Sequence, residues 1–425
     1  MPELQSFNAI LYNTKKINLS EVVAPPYDVI SLQQQDELYK RSTYNVVRLI
    51  LGREGDRYKS ALRHFTQWRE ENILSVDDEP ALYVLTQTYM LPDGKQVTRR
   101  GFIAACRLEE PGKGTIFPHE KTLSKPKEDR LKLFQATETM FSQIFSIYSD
   151  PNNELKDALF GITSSRANYE VEFENVLNRV WRLTDATNIQ AITDYFRTNN
   201  VLIADGHHRY ETAFNYMNVR KEQNSDHTGK EAYNFVPMFF TNMNDPGLII
   251  LPTHRVVHSV PDFDISSFMQ KLEQYFHVTI YSNQNQILKN LPLRKHNFGM
   301  ILPTALGFIL LELKSFSFIK ELQIPEPVGR LDVTILHSLI LKQILGISLE
   351  AQEQKLNLDY EKDSQQAIDA VRDGRAQIAF ILNPTPIEQV HEVAVAGYTL
   401  PQKSTYFYPK LLSGLVSYSF SDTFE

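Results

Sequence analysis

The stretch Val201–Met217, VLIADGHHRYETAFNYM, changes from a strand pattern to a helix pattern within seventeen residues. Its first four residues are apolar and partly β-branched, which predicts a buried strand that ends at Asp205. Gly206 permits a sharp turn. The apolar residues that follow recur at helical spacing, at Tyr210, Ala213, Phe214 and Met217. The stretch therefore predicts a strand, a turn and a helix, which is the local unit of an α/β fold.

The predicted helix begins with His207, His208 and Arg209, directly after Asp205 and Gly206. Backbone N–H groups and the helix dipole favour an anion at this end of a helix. Asp205 can orient a histidine or bind a metal, both imidazoles titrate near neutral pH, and Arg209 offers a planar fork to phosphate. A simpler interpretation makes Asp205 a helix cap and turns Arg209 to solvent. The pattern favours a phosphate-binding loop, because the polar cluster follows a buried strand.

Five separated strings resemble one bacterial family, domain-of-unknown-function family 1015. They are IADGHHRYETA from Ile203, APPYDVIS from Ala24, NVVRLILG from Asn45, HEKTLSKPKEDRLKL from His119 and the closing LPQKSTYFYPKLLSGLV from Leu400. The DGHHR string is also similar to that of archaeal free-serine kinases of the chromosome-partitioning and sulfiredoxin-like fold. In those kinases the loop holds nucleotide phosphate and contributes to catalysis. The resemblance implies a sulfiredoxin-like nucleotide-binding core, with ATP or ADP and Mg²⁺ as cofactors.

Composition limits the class of protein. The 425 residues carry a net charge of −7, which argues against nucleic acid as a partner, because phosphate backbones are usually met by a basic face. The single cysteine, Cys106, excludes an internal disulfide and favours the cytoplasm, and its alternating context predicts a buried strand position. The start of the sequence lacks a signal-peptide pattern, and no apolar run is long enough for a membrane span. We expect a cytoplasmic protein whose partners are a nucleotide and a small molecule, and the sequence does not indicate its oligomeric state.

The predicted fold is mixed α/β, with residues 1–250 as a catalytic, nucleotide-binding region. A second α/β subdomain, residues 251–425, is expected to close on the first. Helix and strand patterns alternate in this second half, as in SQQAIDAVRDG from Ser364 followed by AQIAFILN from Ala376. No flexible linker pattern separates the two regions.

Tyr27, Asp28 and Arg48 are the candidates for substrate binding. Two prolines before Tyr27 fix a rigid loop that either presents Tyr27 and Asp28 at a pocket edge or forms a structural corner. Arg48 interrupts the apolar run NVVRLILG, which predicts a strand. Its guanidinium either faces solvent or binds a substrate carboxylate, and the family resemblance favours the second.

Glu120 is the candidate catalytic base, beside the phosphate-binding candidates Lys121 and Lys125. Its segment has five basic residues against three acidic ones, which suits phosphate, although a solvated charge run gives the same pattern. The zinc-protease pattern H-E-x-x-H fails, because position 123 is Leu123. Lys403 and Ser404 follow a proline turn and either bind phosphate or cap the closing strand.

These observations predict a nucleotide-dependent small-molecule phosphotransferase, with a hydroxyl amino acid such as free serine as acceptor. Asp205, His207 and His208 join Glu120 as catalytic candidates, and Gly206 and Arg209 bind phosphate. One alternative is a metal-dependent hydrolase or phosphoesterase in which Asp205 and the two histidines hold the metal. Another is a nucleotide-sensing protein without turnover.

Overall fold

The computed structural model describes residues 2–91, 93–120, 124–293, 295–303 and 307–421; of Ser124 and Lys125 it describes the backbone alone. The chain forms two compact units. The first contains residues 1–118, 122–249 and 409–425, and the second contains residues 119–121 and 250–408. The boundary predicted from the sequence lies between residues 250 and 251, and the roles predicted for the two regions stay predictions.

A mixed nine-stranded sheet forms the centre of the first unit. The strand Val201–Asp205, called here the motif strand, runs antiparallel to Ile144–Tyr148 and parallel to Ile116–Phe117. Next to Ile144–Tyr148 lies the parallel strand Phe235–Asn242, and the rest of the sheet is antiparallel. The remaining strands are Gln96–Arg107, Leu82–Met90, Val176–Leu183, Tyr169–Phe173 and Leu4–Gln5. The motif strand is therefore close to one edge of the sheet, with a single short strand outside it.

Helices of very different lengths accompany this sheet. The helix His207–Gln223, called here the motif helix, packs against Ser124–Thr137. An ion pair between Lys127 and Glu211 at 2.9 Å joins the two. The other helices of the unit are Leu19–Val22, Leu32–Arg41, Val47–Ile50, Arg57–Glu70, Lys156–Phe160 and Ala186–Phe196, with 3₁₀ turns at Tyr27–Val29, Gly161–Ser164 and Ala232–Asn234.

The C-terminal segment Pro409–Ser421, called here the closing segment, belongs to the first unit. Ser413 exchanges backbone hydrogen bonds with Ala24, and the Gly414 N–H donates to the Phe141 carbonyl at 2.8 Å. The strand Tyr418–Ser419 pairs with Thr139–Met140. A further two-stranded sheet joins Ile10–Tyr12 to Leu74–Val76. Backbone pairing thus fixes the closing segment at several points of this unit.

The second unit is built on a six-stranded sheet whose strands are all antiparallel. In spatial order the strands are Phe276–Tyr281, Phe308–Leu313, Asn297–Ile301, Ile378–Ile381, His254–Val257 and Leu358–Glu361. The strands Ile249–Leu251 and Tyr406–Tyr408 pair where the chain enters and leaves the unit. Its helices are Ile265–Tyr275, Gln284–Asn290, Ser317–Lys320, Glu326–Gly329, Asp332–Ile335, Leu349–Glu353, Ser364–Arg372 and Ile387–Val395, with a 3₁₀ turn at Leu291–Leu293 and a π-helix at Leu336–Ile344.

Most local predictions are confirmed, as is the mixed α/β class. Leu82–Met90 and Gln96–Arg107 form the predicted hairpin, although Pro92 of its turn lies outside the described residues. Cys106 is fully buried within a strand. No helix in the described part of the chain is long and apolar enough to cross a membrane.

The strand predicted for NVVRLILG is wrong, because Val47–Ile50 is a helical turn. The Asn45 side chain accepts from the Val47 N–H at 3.0 Å and so stabilises the start of the turn. The turn buries Val47, Leu49 and Ile50 while Arg48 stays half-buried. A short apolar run with one charge fits a strand and a buried helical turn equally well, so periodicity alone could not decide.

Candidate functional site

The motif strand, Gly206 and the motif helix have the predicted geometry. The strand is buried up to Ala204, and the helix begins at His207. Gly206 has a φ of 93°, a left-handed conformation that glycine adopts without steric cost. Because Gly206 has no side chain, it offers no side-chain acceptor to the N–H groups of the first helical turn. The local backbone therefore suits an anion.

Asp205 is held from two sides. Its Oδ1 accepts from the Gly206 N–H at 2.9 Å, and its Oδ2 accepts from Lys410 Nζ at 2.7 Å. The two side chains are 24% and 15% exposed, so water screens this ion pair only partly. Burial opposes ionisation of Asp205, but the positive charges of Lys410 and Arg209 outweigh it and hold its pKa well below the usual range. Asp205 is therefore a carboxylate at neutral pH.

Arg209 is buried at the first turn of the motif helix, with 5% of its surface exposed. Its Nη1 donates to Ser142 Oγ at 3.0 Å and to the Gln143 carbonyl. A Cβ placed on Gly206 would lie 3.0 Å from Arg209 Nη2. The guanidinium thus lies against the turn. The simpler interpretation from the sequence, in which Arg209 faces solvent, is wrong.

Tyr27 lies against a second buried arginine. The Cζ of Arg130 is 4.0 Å from the centre of the Tyr27 ring, and Arg130 is 4% exposed and paired with Asp129. Burial raises the pKa of the Tyr27 hydroxyl, although the charge of Arg130 opposes this. The positive charge of Arg209, in the first turn of the motif helix, also opposes this rise in the pKa of Tyr27. Asp28, the neighbouring candidate, is exposed.

The closing segment brings Lys410 to Asp205 through a buried polar network. The Lys410 carbonyl accepts from Gln87 Nε2 at 3.3 Å, and the Pro409 carbonyl accepts from Arg99 Nη2 at 2.6 Å. Arg99 also donates to Gln87, and both side chains are almost fully buried. Lys410 is thereby positioned by its own backbone.

Sequence reasoning missed Lys410 and Arg130 as members of this site. Lys410 lies in YFYPK, which reads as a packed closing strand, and Arg130 is one of five basic residues in its segment. The available signal for Lys410 was a lysine directly after a proline in a segment that resembles the family. That signal does not say which part of the chain the residue meets.

The two histidines differ in their surroundings. His207 is buried, with 5% exposure, and His208 is half-buried. Consecutive helical residues point about 100° apart, so the two rings leave the helix in different directions. Among the described residues, no three His, Cys, Asp or Glu side chains are grouped to hold a metal ion. Asp205, His207 and His208 therefore do not form a ready-made metal site.

Glu120, Lys403 and Ser404 lie together in the second unit. The Lys403 N–H donates to Glu120 Oε1 at 3.3 Å, and Glu120 forms a parallel bridge with Leu400. The Ser404 hydroxyl donates to the Pro401 carbonyl at 2.5 Å. Lys121 and the side chain of Lys125 lie outside the described residues. The roles predicted for these residues stay predictions.

Arg48 contacts the end of the helix Leu32–Arg41. Its Nη2 donates to the Tyr39 carbonyl at 2.9 Å, and its Cζ lies 4.3 Å from the centre of the Tyr39 ring. A guanidinium near a helix C-terminus stabilises the free carbonyl groups there. These contacts give Arg48 a structural role, and the carboxylate clamp stays a prediction.

Comparison with protein families places the chain. Residues 4–334 match the model of the family described as "Protein of unknown function (DUF1015)", and the chain belongs to this family. None of the curated proteins matches it.

Three solved structures show distant similarity. A conserved hypothetical protein from Pyrococcus furiosus is 13% identical, with 73% of this chain and 94% of that chain covered, at a TM-score of 0.35. A free serine kinase in complex with AMP is 12% identical, with 70% of this chain and 88% of that chain covered, at a TM-score of 0.35. SbnI with a C-terminal truncation, from Staphylococcus aureus, is 11% identical, with 74% of this chain and 86% of that chain covered, at a TM-score of 0.36.

Proposed function

We propose that this member of the family is a nucleotide-dependent small-molecule phosphotransferase, with a hydroxyl amino acid such as free serine as the acceptor. The observation that carries the proposal is the loop itself, where a left-handed Gly206 opens a long helix beside Arg209 and Lys410. Phosphoryl transfer depends mainly on positioning and on neutralising the charge of the phosphates. The residues around this loop supply both.

The phosphate-binding part of the proposal rests on Gly206, Arg209 and the first turn of the motif helix. Arg209 is fixed by Ser142 and Gln143, so little side-chain entropy is lost when it binds an anion. The helix dipole adds a partial positive charge at the same place. A phosphate group at the loop would meet backbone N–H groups and a pre-oriented guanidinium.

Lys410 gives the loop a second cation. In the free protein Asp205 binds it, and a phosphate group would compete with Asp205 for the same ammonium. Asp205 then positions Lys410 and, through its charge, the neighbouring His207. This is a positioning role for Asp205, and it needs no metal.

Mg²⁺ is part of the proposal because of the family resemblance. Mg²⁺ binds one or two protein carboxylates together with phosphate oxygens and water. Asp205 is the candidate ligand, but its two oxygens are engaged by Lys410 and by the Gly206 N–H. The loop thus does not fit a preformed metal site, and no step proposed for these residues runs through the ion.

We propose Glu120 as the base that takes the proton from the hydroxyl of the acceptor amino acid. Its Oε1 holds the Lys403 N–H, and a carboxylate with a single backbone donor keeps lone pairs for a substrate hydroxyl. His207 and His208 are the alternative bases. The nucleotide donor, ATP or ADP, and the cytoplasmic location belong to the same proposal.

Two other functions stay open. A metal-dependent hydrolase is less well supported, because the candidate ligands are not grouped. A nucleotide sensor without turnover uses the same phosphate site and differs only in making no product.

The test is a calorimetric titration with ATP and with ADP, followed by mass spectrometry of serine-containing reactions. We expect Arg209→Lys, which keeps the charge but loses the fork, to weaken nucleotide binding about tenfold. Arg220→Lys is the matched control, because Arg220 lies near the other end of the same helix and pairs with Glu138. Unchanged affinity in Arg209→Lys would remove the loop from nucleotide binding, and binding without phosphoserine would favour the sensor.

A further inference from the structure

The second unit contains a pocket of about 250 Å³. All of its lining residues lie between Ile324 and Gln402, so the pocket is formed by this unit alone. Part of the wall is apolar, and the polar part includes Thr334, His337 and Ser338. A benzene-sized ligand fills a cavity of about 150 Å³, so this one accommodates a bicyclic ring.

Two buried polar side chains of the wall, His337 and Gln352, already have hydrogen-bond partners within the unit. Arg255 Nε donates to His337 Nε2 at 3.1 Å, so His337 Nδ1 carries the proton and donates to Gln352 Oε1 at 2.7 Å. The Gln352 amide donates to the His337 and Ile347 carbonyls. Burial and the charge of Arg255 lower the pKa of His337 to about 3, which keeps the imidazole neutral. Both ring nitrogens of His337 and the amide of Gln352 are thus engaged by protein partners.

Thr334 is different. Its side chain is 3% exposed and lines the pocket, and its hydroxyl has no hydrogen-bond partner among the described residues. A buried hydroxyl without a partner costs folding free energy, so native proteins rarely keep one without a reason. The oxygen itself is shielded from solvent, so a rotation of the side chain about its Cα–Cβ bond would bring the hydroxyl to a ligand in the pocket and supply the missing partner.

The backbone beside Thr334 is unusual as well. Leu336–Ile344 forms a π-helix, and His337 and Ser338 of its first turn line the pocket. π-helical segments are rare, and they are frequently found at functional sites. This feature is independent of the unpartnered hydroxyl and points to the same place.

Leu349 lines the pocket and is 50% exposed, an unusual position for a large apolar side chain. Glu353, also in the wall, is exposed and opposes a negatively charged ligand. The remaining wall residues that matter for the size and polarity of a ligand are Ile324, Val328 and Pro401.

We propose that this pocket binds a neutral, mostly apolar small molecule about the size of a bicyclic ring, whose hydrogen-bonding edge meets the Thr334 hydroxyl. The apolar wall and Leu349 bind the body of the ligand, and Thr334 and Ser338 orient it. All the lining residues of the pocket belong to the second unit, whereas Asp205, Gly206 and Arg209 belong to the first. The pocket borders the proposed base, because its lining residue Leu400 forms a bridge with Glu120.

Indole is a suitable probe, because it is neutral, bicyclic and carries one N–H donor. Binding to the full-length protein is measured by saturation-transfer NMR and by a calorimetric titration, which does not depend on fluorescence. We expect a dissociation constant below about 1 mM, as is usual for a well-placed ligand of this size.

Two variants and a control locate the site. Thr334→Val removes the hydroxyl but keeps the shape, so we expect weaker indole binding, by about fivefold, with equal or greater thermal stability. Leu349→Ala should also weaken binding several-fold, whereas Leu356→Ala should not, because Leu356 is similarly exposed at 58% but does not line the pocket.

Weaker indole binding by Thr334→Val without a loss of stability separates a ligand contact from a structural role. Absence of indole binding up to several millimolar would overturn the proposal. So would binding that neither Thr334→Val nor Leu349→Ala affects. Tighter binding of indole-3-acetate than of indole would overturn the assignment of a neutral ligand.

Discussion

The ion pair between Asp205 and Lys410 allows a quantitative test of how the closing segment supports the motif loop. The perturbations are Asp205→Asn, Lys410→Met and the double variant. Lys410→Met leaves the Asp205 carboxylate with the Gly206 N–H and the charges of Arg209 and His207. Asp205→Asn leaves the Lys410 ammonium without its carboxylate.

The magnitude follows from the exposure of the two side chains. Ion pairs on the surface contribute about 0–1 kcal/mol, and breaking a fully buried pair costs about 3–5 kcal/mol. With 24% and 15% exposure and a 2.7 Å contact, this pair lies between these limits. We expect a coupling energy of about 2 kcal/mol from the double-mutant cycle.

Urea unfolding followed by tryptophan fluorescence suits this measurement. The chain has two tryptophans, Trp68 and Trp181, and both lie in the first unit with Asp205 and Lys410. The signal therefore reports on the unit that contains the ion pair. A coupling energy within about 0.5 kcal/mol of zero would refute the reasoning, because it would show that the two charges stabilise the unit independently.

The same pair has a signature in acid. The pKa of Asp205 is lowered on folding, so the unfolded chain takes up this proton first as the pH falls. The stability that the pair contributes is present at neutral pH and is lost below about pH 4, the ordinary range of an aspartate. We expect Asp205→Asn to flatten this acid limb, and an unchanged limb would assign it to other carboxylates.

Three further predictions concern other parts of the chain. Gly206→Ala should destabilise the first unit by about 1–3 kcal/mol and weaken nucleotide binding, because a Cβ there meets Arg209; Gly229→Ala, with φ of 88° and open space, controls for the backbone cost alone in chemical denaturation and calorimetry. Burial lowers the pKa of His337 to about 3 and of His254 to about 4, whereas both titrate near 6.5 when unfolded. Hence stability of the second unit should fall by about 4 kcal/mol between pH 7.5 and pH 5, as measured by hydrogen exchange at Leu336–Ile344, and a flat profile would mean that these imidazoles are charged in the fold. Glu120→Gln keeps the acceptor for the Lys403 N–H, so turnover should fall by about a hundredfold or more while nucleotide affinity is kept; normal turnover on an established substrate would leave the histidines as base candidates.

Local patterns in the sequence were sufficient for the motif strand, the turn and the motif helix. The reason is that each of these depends on neighbours in the chain, namely an apolar run, a left-handed glycine and helical spacing. The prediction of a strand for NVVRLILG failed because the conformation of this run depends on residues far away in the chain. Its conformation depends on Asn45, whose amide also bonds the Glu21 and Val23 carbonyls more than twenty residues away. Periodicity contains no information on such contacts.

The same distinction applies to the site. The proximity of Arg209 to Asp205 could be predicted because they are close along the chain, at the end of a strand and the start of a helix, whereas Lys410 is separated from Asp205 by 205 residues. What brings Lys410 to the loop is a set of backbone contacts to the carbonyls of Pro409 and Lys410, made by Gln87 and Arg99. Every residue has a backbone carbonyl group, so a pattern of residue types cannot reveal which carbonyl groups are contacted.

This dependence also shows which residues should control the loop without touching a ligand. Arg99 is fully buried, donates to Gln87 and to the Pro409 carbonyl, and lies with its Cζ 4.5 Å from the centre of the Phe145 ring. Burial lowers its pKa to about 10, so it remains charged at neutral pH and needs the oxygens that it holds. Any change at Arg99 therefore acts on Pro409 first and on the ammonium of Lys410 second. The ammonium beside Asp205 is in this way tied to the packing of the sheet interior, on the strands Leu82–Met90 and Gln96–Arg107.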